Sequence, residues 1–289
     1  MTHPDTKHML ELVEQQTGYR VSVDLISGIH EHAQMISARP GNPVHMIRVN
    51  ATHRAFADYI VAVQCGILLV LWSDPQKVPA MALEERATND LAVSWADLPP
   101  LASLPGDVSS KVARHYVEGL AKQVQSMPLE IGVAKLVFEK CPALREAQAE
   151  SFRAQLQNLS QVFTAKVKDS APVEVFQKNV TMNAALALGW SDISGDRIAL
   201  LPYESTGYLE FAKNAMSAFL KGRTPTANQI QFLEEIVNHL TANGVMEAAR
   251  LYEAPYTYIH DQGVEGVFKG PEIDELISIL EEVKNRAIA

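Results

Sequence analysis

The sequence is poor in the features that mark specialised classes. It has two cysteines, Cys65 and Cys141, in 289 residues, too few for a disulfide framework and suited to a reducing compartment. No basic block stands out. The 25 Lys and Arg are outnumbered by 34 Asp and Glu, giving a net charge of −9, so a broad positive face for direct nucleic-acid binding is not expected. The longest apolar run, residues 59–72, is shorter than the about 20 residues a membrane-spanning helix needs. The opening MTHPDTKHMLELVEQ has neither the basic start nor the apolar run of a secretory signal. These readings predict a cytoplasmic protein without a membrane partner. Also missing are the phosphate-binding pattern G-x-x-x-x-G-K followed by Ser or Thr, the dinucleotide pattern G-x-G-x-x-G and the hydrolase elbow G-x-S-x-G. Each would carry a recognisable chemistry.

What is present is enough apolar sequence, 47% of residues, to bury one large core or two modest ones. A short amphipathic helix is predicted over Lys7 to Thr17, ended by Gly18. Tyr19 to Asp24 alternates as a strand, and Val44 to Val49 forms a second. Ile29 to Pro43 between them reads as a loop, with Pro40, Gly41 and Pro43 as turn residues. A helix starts near Arg54 or Ala55 and runs to Trp72. Ser73 to Gly106 is rich in Pro and polar turns and marks a boundary. Helices follow over Ser109 to Ser126, broken at Met127-Pro128, then Glu130 to Lys140, Ala143 to Phe163, Glu174 to Trp190, Tyr208 to Phe219, Thr226 to Asn243 and Pro271 to Ala287. Ile193 to Pro202 reads as a loop. The fold class expected is α+β, a short sheet with a core helix followed by a largely helical part.

The helix Tyr59 to Trp72, YIVAVQCGILLVLW, follows a strand, HMIRVN, that ends in Asn50. A zinc peptidase of the His-Glu-x-x-His type places two histidines at i and i+4 on one helix face, with the Glu as base. Here the corresponding residues are Val63, Gln64 and Ile67. Neither Val63 nor Ile67 has a lone pair to donate, and an amide at 64 cannot take a proton at neutral pH. The run also reads as a plain buried core helix, with Gln64 tying core helices together or lining a pocket. Ile47 to Asn50, the helix Val63-Gln64-Cys65-Gly66-Ile67 and the later Gly119 to Pro128, ending Ser-Met-Pro, together resemble the IrrE/ImmA-like metallopeptidase family over residues 17–130. The resemblance implies a zincin-like fold and puts His115, with Glu118 a turn later, at or near the third-ligand position. It departs from the family at every catalytic position. It also implies a setting of stress response, mobile elements or phage defence, where family members cleave or control a repressor.

Other constellations are open to two readings. His30-Glu31-His32 could share a metal along a strand, with His45, His53 or His115 nearby, or could be a solvated loop. Cys65 lies in an apolar helix, where a thiol is usually inert. Arg114, His115 and Glu118 could bind a ligand or form a solvated helix face. The loops around Tyr203 and Tyr208, and around Tyr256 in YEAPYTY, could be recognition surfaces or core caps.

The division expected is a degenerate metallopeptidase-like domain over 1–130 and a helical domain over 131–289, packed on the first. The function expected is that of a catalytically inactive, regulatory protein-binding module with no cofactor and no resident metal. The alternative is a hydrolase with a metal site relocated to His30, His32 and His115. Oligomeric state is left open.

Overall fold

The computed structural model describes residues 3–29, 32–38, 41–71, 77–83, 85–215 and 249–255. The helices expected over 226–243 and 271–287 lie outside them. In the N-terminal part, α1 (Pro4–Thr17) is followed by β1 (Arg20–Ile26), β2 (Ala33–Ile36) and β3 (Val44–Asn50). The α1 helix has Pro4 in its first turn and stops at Gly18, whose φ of 72° places it in the left-handed region and whose N–H bonds the Glu14 carbonyl. The sheet order is β1-β3-β2. β1 runs parallel to β3 and β2 antiparallel to it. The sequence-based loop over 29–43 therefore contains a strand. Its four residues are all half-buried, so the alternation that betrays a strand is absent.

The central strand shows that alternation clearly. His45, Ile47 and Val49 are fully buried on one face, as a period of two requires. Met9 and Val13 of α1 pack into the same cluster at helical spacing. After β3 a 3-10 turn (Ala51–Phe56) leads into α2 (Ala57–Leu71), which begins three residues later than Arg54. No described helix is long and apolar enough to cross a membrane.

The Pro-rich stretch expected as a boundary is instead partly ordered into β4 (Lys77–Leu83) and α3 (Glu85–Ala96). Then comes α4 (Gly106–Lys140), a single helix of 35 residues, about 52 Å long at about 1.5 Å per residue. The break expected at Met127-Pro128 does not occur. An interior proline costs a helix one backbone bond and about 3 kcal/mol. Burial on both sides of it offsets that cost: Val117, Leu120, Met127, Ile131 and Ala134 join one hydrophobic cluster, and Val133 and Val137 join another. The remaining described elements are α5 (Arg145–Leu159), α6 (Ala165–Lys168), α7 (Val173–Ser194), α8 (Leu201–Glu204), α9 (Tyr208–Ala215) and β5 (Ala249–Pro255), the last antiparallel to β4. The architecture is α+β with a largely helical remainder, as expected.

The two clusters do not divide at residue 130, which lies inside α4. The sheet cluster takes α1, β3 and α2 together with Val133, Val137, Cys141 and Leu144. The helical cluster takes Ala92 and Trp95 of α3, residues of α4 from Val112 to Ala134 and most of α7. Two buried clusters share the helix that spans residues 130 and 131.

Two glycines allow that helix to sit where it does. A Cβ on Gly66 of α2 would lie 2.7 Å from Val133 Cγ1, and one on Gly189 of α7 would lie 2.6 Å from Ile131 Cδ1. Valine is stiff at χ1 and cannot swing clear. Alanine at 66 would gain up to about 1 kcal/mol of helix propensity but force overpacking that costs about 1–3 kcal/mol. Gly66→Ala is expected to lower the denaturant midpoint. Adding Val133→Ala to Gly66→Ala relieves the clash, and the double-mutant cycle should show favourable coupling of about 1 kcal/mol. Additive losses would mean that the close approach is not the constraint.

Candidate functional site

The best-organised polar corner lies where β3 ends. Asn50 is 7% exposed, and its main-chain N–H donates to the His32 carbonyl at 3.0 Å. Its side-chain Nδ2 donates to the Ile29 carbonyl at 2.6 Å. Its Oδ1 accepts from the Thr52 N–H at 3.0 Å and from Thr52 Oγ1 at 2.8 Å. The side chain thus caps the 3-10 turn that begins at Ala51 while holding the far loop. His53 sits in that turn with φ −98° and ψ 22°, in the sparsely used bridge region. The outcome is a pair of histidines: His32 Nδ1 lies 3.1 Å from His53 Nε2, with ring centroids 4.4 Å apart and planes tilted by 58°. The His32 pKa is held below its ordinary value, first by partial burial of the ring and then by His53.

His45 is not part of this corner. It is fully buried. Its Nδ1 accepts from the Ala38 N–H at 2.9 Å, so the ring is the neutral tautomer with a proton on Nε2, which faces Thr17 Oγ1 at 3.1 Å. Thr17 Oγ1 in turn donates to the Val13 carbonyl at 2.8 Å. That histidine ties the end of α1 to β3. His30 and Glu31 lie outside the described residues.

On α2, Val63 and Ile67 are half-buried and pack against the sheet cluster. Gln64 is half-buried. Gly66 serves the close approach of α4. Cys65 is fully buried, and its thiol is pushed up to about 12 by burial first and by Cys141 second. Cys141 rises to about 11 through burial and then Asp5. Neither is a thiolate at neutral pH, so neither is a nucleophile.

His115 stands apart from α2. The α4 helix approaches α2 at Val133, about 27 Å along the helix from His115 at about 1.5 Å per residue. Its neighbour is Glu118, whose Oε2 is 3.8 Å from His115 Nδ1. Arg114 Nε donates to Glu118 Oε1 at 3.0 Å and its guanidinium reaches Asn89 Oδ1 of α3, also at 3.0 Å. Arg114 and Glu118 thus fasten α4 to α3. Among the described residues no group of three or more His, Cys, Asp or Glu is placed to hold a metal ion.

The tyrosines divide in the same way. Tyr203 is 1% exposed, lies edge-on to Phe163 with centroids 5.6 Å apart, and has its hydroxyl pushed up to about 12 by burial. It is core, not recognition surface. Tyr208 packs edge-on against Phe176 at 6.1 Å. Tyr256 lies outside the described residues.

One polar cluster escaped the sequence reading. Glu130 of α4 accepts from Gln155 Nε2 of α5, and beside it is Tyr59 of α2, whose hydroxyl meets Ser151 of α5. Burial pushes the Glu130 carboxyl above the ordinary carboxylate range, against the opposing pull of the Gln155 bond. Burial, and secondarily Glu130, push the Tyr59 phenol up as well. No local pattern announces a carboxyl that becomes buried only when three helices meet.

A family model for the EcoEI R protein C-terminal region matches residues 193–284. That is less than half of the chain, and it includes α8, α9 and β5 among the described elements. No curated protein and no solved structure matches the chain.

Two predictions concern these groups. Asn50→Ala removes three side-chain hydrogen bonds and should cost about 1–3 kcal/mol in chemical unfolding. Asn50→Asp keeps the acceptor for Thr52 but sets a carboxylate oxygen against the Ile29 carbonyl, so it should be destabilising as well. For Glu130, the folded carboxyl keeps its proton at pH values where the unfolded one has lost it. Stability from this group is therefore full below its unfolded value of 4.5 and falls as pH rises toward the raised folded value. Glu130→Gln should flatten that slope and stabilise the protein at neutral pH, as read from thermal melts between pH 4.5 and 8.

Proposed function

We propose that this chain is a catalytically inactive relative of the IrrE/ImmA-like metallopeptidases that works as a regulatory, protein-binding module. The observation that carries the reading is the state of α2. A strand ending in Asn50, a capped turn and a core helix follow one another as they do in a peptidase frame, but the face that would hold a metal presents Val63 and Ile67 to the sheet cluster. An amide, Gln64, stands where a base is needed, and it cannot take a proton from water at neutral pH. The helix has been turned over to packing. The similarity of residues 193–284 to the EcoEI R protein C-terminal region puts a segment shared with another protein beside that frame, which suits a binding role. The relocated-site alternative needs His30, His32 and His115 to converge, and among the described residues no group of three or more His, Cys, Asp or Glu is placed to hold a metal ion.

The test is hydrolysis. The full chain, supplied with zinc, should leave a casein substrate and a mixed peptide library uncut, and crosslinking in cells that carry the chain natively should recover a stoichiometric protein partner. Zinc-dependent cleavage that disappears in Gln64→Ala would overturn the reading, because it would place catalysis on α2.

A further inference from the structure

The histidine pair at the end of β3 has no part in that reading, and its geometry goes beyond it. We propose that His32 and His53 form a two-point binding site for a divalent transition-metal ion of the imidazole-preferring class, such as zinc, nickel or copper(II).

Two imidazole nitrogens on one tetrahedral ion, each about 2.1 Å from it, lie about 3.4 Å apart. His32 Nδ1 and His53 Nε2 are 3.1 Å apart, so an opening of a few tenths of an ångström admits the ion. Once both rings carry their proton on the other nitrogen, each of these two nitrogens offers a lone pair to the space between the rings. That exchange of tautomers leaves both rings neutral and releases no net charge.

Access and rigidity point the same way. His32 is exposed and His53 half-buried, so an ion arrives from solvent without any rearrangement of the core. The backbone that carries each ring is nevertheless held. The His32 carbonyl is fixed by the Asn50 N–H, and the turn that carries His53 is capped by the Asn50 side chain. One residue therefore sets the position of both donors. Metal sites depend on such outer supports, whose removal commonly costs about 10–100-fold in affinity. With two protein donors, water completes the coordination shell. The site is therefore open and exchangeable, unlike a closed structural site with four protein ligands.

The chemistry is also distinct from the α2 face. An ion here would sit at the start of the turn before α2, with neither Val63 nor Ile67 as a ligand, so its presence would leave the inactive-peptidase reading unchanged.

The experiment uses the untagged full chain, stripped with chelator and titrated with zinc chloride by calorimetry. The expected result is a saturable isotherm with one equivalent. His32→Ala and His53→Ala should each weaken it at least about tenfold, about 1.4 kcal/mol. Asn50→Ala should weaken it as well, and His8→Ala, an exposed position on α1, should leave it unchanged. Copper(II) bound to the wild type should show two-nitrogen coupling in its electron paramagnetic resonance spectrum, falling to one nitrogen in either single variant. His53→Gln with a melting curve separates loss of a ligand from loss of fold. No saturable uptake by the wild type, or uptake and nitrogen coupling unchanged in both histidine variants, would overturn the proposal and leave a hydrogen-bonded pair.

Discussion

The passage of α4 between α2 and α7 is the constraint on which most of this structure depends. At Gly66 and Gly189 the absence of a side chain lets Val133 and Ile131 approach more closely than a methyl group would permit. Those two residues are neighbours on the same helix, one turned to the sheet core and the other to the helical core. The sheet and the bundle are coupled through one stiff rod. A change in either glycine would be felt on both sides, because close-packed interiors transmit strain rather than absorb it. The same rod brings Glu130 into the junction with α5, so the buried carboxyl is a by-product of a helix that must satisfy two neighbours at once.

The Asn50 corner follows a related logic at smaller scale. A buried amide offers two donors and an acceptor with more than one lone pair, and here they reach the loop at Ile29 and the turn at Thr52. Because those partners are far apart in sequence, Asn50 converts a strand end into a fixed platform. His45 does similar work at the other end of the same strand, joining α1 to the backbone at Ala38. Polar residues at both ends of β3 hold its surroundings, and Ile47 and Val49 fill the space between them.

How much of this could be read from the chain depended on whether a signal was local. The alternation of Tyr19 to Asp24 marks β1 and Gly18 marks the end of α1 in the sequence, since backbone sterics act on nearest neighbours. The strand Ala33–Ile36 was missed because its residues are all half-buried and carry no alternation. Pro128 reads as a break because the cost of an interior proline is local, whereas the burial that offsets it comes from residues on other helices. For the candidate site, the histidines were visible as ligating types and Val63, Gln64 and Ile67 as an unsuitable set. Which histidines meet was not visible, because that depends on a 3-10 turn and on a carbonyl-to-amide bond across the sheet. Tyr203 is open to both a surface and a core reading in the sequence, and it lies in the core, edge-on to Phe163 of a distant segment.

The pairing of β4 with β5 has a consequence for how the chain is made. Lys77 is registered with Pro255 and Leu83 with Ala249, a closure over about 170 residues whose entropy must be met before any ladder bond forms. At about 5–20 residues per second, a ribosome needs on the order of ten to thirty seconds to deliver the second strand after the first. During that interval β4 is an unpaired strand edge, the form of backbone that other strands add to most readily. Its own sequence, Lys77–Leu83, carries a charge at the start and a proline at 79, the residue types that discourage such pairing. The late partner and the guarded edge belong together.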